Sequence, residues 1–144
     1  MLIKDLCTPD VVSCSPDCNA LHAARLMRLH HVGDVVVVDD AEADGSPLGV
    51  VTDRDIVVEV LGRELDPAQV SLREIMRKPA VVAGASEDIM QAVERMRTHG
   101  VRRIPVVDAA SYFVGILCLE DLLKLLATAA AKRDEDSSLE QDRE

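Results

Sequence analysis

Residues 23–39 read Ala23-Ala-Arg-Leu-Met-Arg-Leu-His-His-Val-Gly-Asp-Val-Val-Val-Val-Asp39, and residues 92–108 read Ala92-Val-Glu-Arg-Met-Arg-Thr-His-Gly-Val-Arg-Arg-Ile-Pro-Val-Val-Asp108. Set together at a shift of 69, they place Met27 on Met96, His30 on His99, Val32 on Val101 and Asp39 on Asp108. The same shift lays residues 3–39 on 72–108 without a gap. Three extra residues around Ala41–Ser46 interrupt the first copy, and a shift of 66 then puts Gly49 on Gly115 and Asp55 on Asp121. Self-similarity at a fixed period is the mark of a repeat architecture. The chain is two diverged copies of one unit.

Each copy predicts the same elements. A short helical lead-in (2–7; 71–76) ends near Pro9 or Pro79, which discourages continuation. A brief strand follows at 11–14 and 81–83. Helix one starts at Ser15-Pro16 in the first copy and Ser86-Glu87 in the second, both N-terminal signals. Ile89, Ala92, Val93 and Met96 form an amphipathic stripe, matched by Ala20, Ala23, Ala24 and Met27. Leu21 and Leu29 fall outside that stripe and predict contact on a second face. Two strands come next (35–38 with 48–51; 104–107 with 113–117), then a closing helix from Thr52 to about Leu61, or from Cys118 to about Ala130. The order β-α-β-β-α, twice, predicts an α/β (α+β) fold. A unit this small buries too little alone, so the copies should pack as one pseudo-two-fold module. Residues 1–62 make the first repeat, 63–70 a polar linker and 71–130 the second. Residues 131–144, with three basic and six acidic side chains, make an acidic tail expected to be disordered.

The 144 residues include 42 Val, Leu and Ile but only Tyr112 and Phe113 as aromatics. The core is therefore aliphatic, and single-strand nucleic-acid binding on aromatic platforms is excluded. A net charge of −10 argues against a nucleic-acid surface. Lys124 breaks the longest apolar run, so no membrane span is expected, and nothing after Lys4-Asp5 resembles a signal peptide. The expected location is the cytoplasm.

The sharpest local motif is Gly49-Val-Val-Thr-Asp-Arg-Asp55, where a strand meets a helix. Thr52 and Asp55 make a capping box, a sufficient structural reason for both. The same geometry also suits a polar ligand, because free amides at the helix start favour a phosphate and a carboxylate suits paired hydroxyls.

Together, Ala24-Arg-Leu-Met27, His30-His-Val-Gly33, Arg95-Met96, His99–Asp108 and the two strand-to-helix signatures at 49–55 and 115–121 resemble the cystathionine-β-synthase (CBS) domain family. The likeness covers about residues 2–127 and is to the stand-alone bacterial two-repeat type. It implies a regulatory module, not an enzyme, that binds an adenosine compound (AMP, ADP or ATP, S-adenosylmethionine or a dinucleotide) between the repeats and signals to a partner by conformational change. It also implies a homodimer, no required cofactor, no nucleic acid and no membrane. Carried over by position, Thr52 binds phosphate or ribose, Asp55 the ribose hydroxyls, and backbone near Val12 and Val35 the adenine edge. Arg102 and Arg103, ahead of Ile104-Pro105, reach phosphate. Cys118 replaces the usual Ser or Thr of the second copy, so the site around Asp121 is expected to be the weaker. Asp34, where the second copy has Arg103, would repel phosphate and is expected to pair with Arg103 instead.

Two alternatives stand beside this reading: a ligand-free scaffold or dimerisation protein, and a zinc- or redox-responsive protein using Cys7, Cys14, Cys18 and His22. Cys14, Cys18 and His22 are four apart, a spacing that could offer three zinc ligands on a helix. Cys14 is expected to end a strand, which leaves only Cys18 and His22 on one face, so no metal is expected. His30, His31 and His99 are read as favourable charges at helix C-termini. Neither Ser13 nor Ser15 has a base or an elbow motif to make it a nucleophile.

Overall fold

The computed structural model describes residues 1–9, 12–39 and 45–141. Val11 and most of the extra segment after Asp39 lie outside them. The first sheet contains β1 (Ser13–Cys14), β2 (Asp34–Val38) and β3 (Pro47–Thr52) in that order. β1 runs parallel to β2, with Ser13 opposite Val36, and β2 runs antiparallel to β3, with Asp34 opposite Thr52. The second sheet repeats this with β4 (Ala83–Gly84), β5 (Arg103–Val107) and β6 (Phe113–Cys118). Its pairs Ala83–Val106 and Arg103–Cys118 are the positions that the two shifts predict. Even the register irregularity recurs, at Val37/Val38 and Val106/Val107.

Helices α1 (Ala20–His30) and α4 (Ile89–His99) are the paired first helices. Both start later than the sequence suggests, at the caps Asn19 and Asp88 rather than at Ser15 and Ser86. The cause is tertiary. Asn19 bridges to Ser71 and Asp88 to Leu2, so the backbone is pinned at those residues and the helix begins there. Each helix ends on a left-handed residue, Gly100 (φ 64°) in α4 and His31 (φ 54°) in α1.

The remaining helices are α2 (Asp53–Ile56), which continues as π-helical Val57–Leu61, then α3 (Leu72–Ile75) and α5 (Leu119–Gln141). The closing helix does not stop near Ala130. It carries on through Gln141 where a disordered tail was expected, with residues 131–137 exposed all round.

Val35 and Val37 belong to one aliphatic core, Ile104 and Val106 to the other. Strand alternation turns Val36 and Pro105 to the opposite faces, and both are fully buried too. The sheets are covered on both sides, as four successive valines require.

The lead-ins cross over. Ile3 sits in the core of the second repeat, while Val70 and Leu72 sit in the core of the first. Thr8 and Ile116 exchange two backbone hydrogen bonds (2.9 and 3.0 Å), and the Arg77 N–H donates to the Val50 carbonyl (3.1 Å). Gly49 and Gly115 permit this approach: a Cβ there would lie 2.7 Å from the Arg77 carbonyl oxygen and 2.8 Å from that of Thr8. The segment 67–70 is therefore not linker. It forms a short 3-10 turn (Pro67–Gln69) and delivers Val70 to the core beside α1.

Candidate functional site

Between the repeats lies a cavity of about 310 Å³. The first repeat contributes Val50, Thr52, Asp53 and Arg54. The second contributes Arg77 and Pro79 to Val81 from its lead-in, and Gly100 to Arg103 from the turn after α4. The crossing of the lead-ins is what brings these three segments together.

Thr52 caps α2. Its Oγ1 accepts from the Asp55 N–H (3.1 Å), and Asp55 Oδ2 accepts from the Thr52 N–H (2.9 Å), so the capping box is present. Asp55 is buried, and its other oxygen, Oδ1, faces Arg77 Nε at 3.4 Å. Asp55 thus lies behind the cavity wall, holding Arg77, and does not line the cavity. Asp53 does, and its N–H is fixed by the Gly33 carbonyl (2.9 Å). The equivalent bond in the second repeat joins Leu119 N–H to the Arg102 carbonyl (2.8 Å).

Of the expected site residues, Thr52, Arg102 and Arg103 come together here. Val12, Val35, Ile104, Pro105 and Asp121 do not line this cavity. Val35, Ile104 and Pro105 are strand positions without exposure. Val12 corresponds to Val81 at the shift of 69, and it is Val81 that stands beside Thr52's cavity. This cleft draws its strand-to-helix corner from the first repeat and its first-strand approach from the second. Sequence reading missed Arg54, Arg77, Val81 and Val101. The repeat register could have offered Val81, but only the crossing of the lead-ins decides which cleft it serves.

Charge separates the corresponding positions of the two repeats. Arg54, Arg102 and Arg103 correspond by register to Glu120, Gly33 and Asp34. Three arginines of this cavity thus have two acids and a glycine as their mates in the other repeat. Asp34 pairs with Arg103 as expected (Nε to Oδ1, 3.1 Å), across positions that are each other's mates. Burial pushes the Asp34 carboxyl above its usual range. Arg103 opposes that shift, and Asp53 and Glu120 add to it. At Thr52's counterpart, burial raises the Cys118 thiol to about 11, helped by Asp34 and Asp121 and opposed by Arg103. An anion is disfavoured in that neighbourhood.

A separate cluster lies on the turn into α1. Ligand atoms of Cys14, Cys18 and His22 are all within 4.8 Å of one another. Cys14, expected to fall away from the other two, does not. Burial, then the neighbouring Cys18, pushes the Cys14 thiol up to about 12. All four cysteines are free. Cys7 lies elsewhere, packed on the core of the second repeat. Among the described residues no helix is long and apolar enough to cross a membrane.

Comparison with known proteins agrees with this architecture. The CBS domain family matches residues 3–62 and 72–128. CBS domain-containing protein YhcV of Bacillus subtilis is 34% identical over 120 residues, covering 83% of this chain and 81% of that one. The crystal structure of Hypoxic Response Protein I with two coordinated zinc ions, a protein known from Mycobacterium tuberculosis, is similar at TM-score 0.76 and 28% identity, covering 86% of this chain and 98% of that one. A CBS domain protein of Pyrobaculum aerophilum complexed with AMP is similar at TM-score 0.78 and 25% identity, covering 89% and 99%. The repeat in the sequence, the crossed lead-ins and the family match over both halves agree: this chain belongs to the CBS domain family and carries two CBS repeats.

Proposed function

We propose that the cavity between the repeats binds an adenosine nucleotide and that the protein is a regulatory sensor rather than an enzyme. The observation that carries this is the cavity's composition. Val50, Val81 and Val101 offer aliphatic walls for a base, while Arg54 and Arg102, both exposed, stand ready for phosphate beside Thr52. Arg keeps its charge and makes bidentate contacts with phosphate oxygens. Asp55 acts from behind, holding Arg77 at the wall and closing the α2 cap. A relative of the same fold, complexed with AMP, supports the ligand class. A ligand that touches both repeats favours one arrangement of them over another, which is the requirement for passing a signal to a partner protein. Exposed Leu29, Val57, Val58, Leu61, Leu123 and Leu126 on the helices suit a homodimer.

The test is calorimetry and thermal melting with AMP, ADP, ATP and S-adenosylmethionine in turn. A compound at 100 times its dissociation constant adds about 2.7 kcal/mol of stability. Arg102→Ala is expected to weaken a nucleotide monophosphate about tenfold, the loss of roughly 1.4 kcal/mol. If no adenosine compound raises the melting temperature, the scaffold reading replaces this one.

A further inference from the structure

The turn from β1 into α1 carries three side chains that nucleotide binding does not use. We propose that Cys14, Cys18 and His22 bind a zinc-class divalent ion through two thiolates and one imidazole, leaving a fourth coordination position open.

The ligands are already gathered. Their donor atoms lie within 4.8 Å of one another. A tetrahedral site with the usual Zn–S and Zn–N lengths has edges of about 3.5–3.8 Å, so closure needs movements of about 1 Å or less. Their backbones are fixed by other means. Cys14 is paired with Val37 in the sheet, and the Cys18 N–H donates to the Ser15 carbonyl (3.1 Å). The Cys18 carbonyl accepts from the Leu72 N–H (2.8 Å), and the His22 N–H donates to Asn19 Oδ1 (2.8 Å). Burial falls along the series: Cys14 is buried, Cys18 half-buried and His22 exposed, which gives an ion an approach from the His22 side.

The second repeat supplies an independent comparison. At the shift of 69 the three positions become Ala83, Glu87 and Gln91. There the same turn is fastened by an ion pair, with Arg95 reaching both carboxylate oxygens of Glu87 and the Val82 carbonyl. The first repeat has Leu26 in place of Arg95, so that fastener cannot form. Cys18 stands where Glu87 would be, with Cys14 and His22 beside it. Three ligands replace an ion pair as the closure of one and the same turn.

Thiolate and imidazole donors select zinc-class ions over magnesium or calcium. Binding releases the two thiol protons to solvent and leaves a site with no net charge. No oxidation is involved. Both thiols stay reduced, and the Leu72 bond to Cys18 places the ion where the second repeat's lead-in joins the first repeat.

The experiment uses the full chain, without a histidine tag, kept reduced and stripped of metal, then titrated with cobalt(II) alone. One equivalent is expected to produce thiolate-to-cobalt charge-transfer bands and the intense visible bands of tetrahedral cobalt, both abolished by one equivalent of zinc. Cys18→Ser is expected to remove the charge-transfer intensity at least by half. The exposed His22→Ala should weaken binding at least tenfold with the circular dichroism unchanged, while Cys7→Ser retains full stoichiometry. Zinc should raise the melting temperature of the wild type, and that of His22→Ala by less at the same zinc concentration. Absence of thiolate bands in the reduced wild type overturns the proposal. So does full intensity in Cys18→Ser, or loss of binding in Cys7→Ser. Nucleotide binding is measured on the same samples, and neither result depends on the other.

Discussion

Asp34 illustrates how one carboxylate can oppose a site it borders. Its side chain is 11% exposed and paired with Arg103, yet burial outweighs the pairing and its carboxyl titrates above the ordinary range. The folded chain therefore holds this proton more tightly than the unfolded chain does. The stability this contributes is complete below pH 3.8 and is lost as pH rises through the folded value. Asp34→Asn, which mimics the protonated form, is expected to keep or raise stability at pH 7 by up to about 1 kcal/mol. The difference from wild type should shrink as the pH falls below 4, read by melting temperature against pH. The same substitution frees Arg103 and removes a negative charge near the cavity, so affinity for AMP should rise. A lower affinity would show that Arg103 needs Asp34 to hold its position.

At the scale of elements, the strands were legible because β-branched residues bounded by Gly, Pro and Asp leave little choice, as in Asp34–Val38 and Pro47–Thr52. Helix starts were less so. Ser15-Pro16 carries the local signal, but its hydroxyl accepts from the Asp17 N–H, and the helix waits for Asn19, whose place is set by Ser71 far along the chain. The candidate site divides in the same way. Thr52 and Asp55 were legible as a cap because the motif is local. The partition of Val12 and Val81 between clefts was not, because it depends on which repeat each lead-in crosses to. The crossing points make a sharp prediction. Gly49→Ala and Gly115→Ala each drive a Cβ against backbone oxygen that cannot rotate away, and each should cost about 1–3 kcal/mol by denaturant unfolding. A glycine outside the crossings, such as Gly84, would place a Cβ no nearer than 3.4 Å to the Glu87 side chain, an ordinary contact, and should tolerate alanine better.

For the whole molecule, crossed lead-ins mean that each core is completed by the other repeat. Ile3 and Leu72 are fully buried away from their own repeats, and burying each is worth about 2 kcal/mol. A single backbone cut within the exposed segment 62–66 should therefore leave the halves associated through gel filtration, with a lower melting temperature that depends on protein concentration. Halves that separate after cutting would contradict the crossing. The Asp34–Arg103 pair adds a rule of assembly to this arrangement. Its members occupy the same place in the two copies, so two first repeats brought together would oppose aspartate with aspartate, and two second repeats would oppose arginine with arginine. Only the mixed pairing joins unlike charges there. A newly made chain, crowded among its copies, thus carries at its pseudo-axis a test of kinship that favours its own other half over a duplicate of the same half from a neighbour.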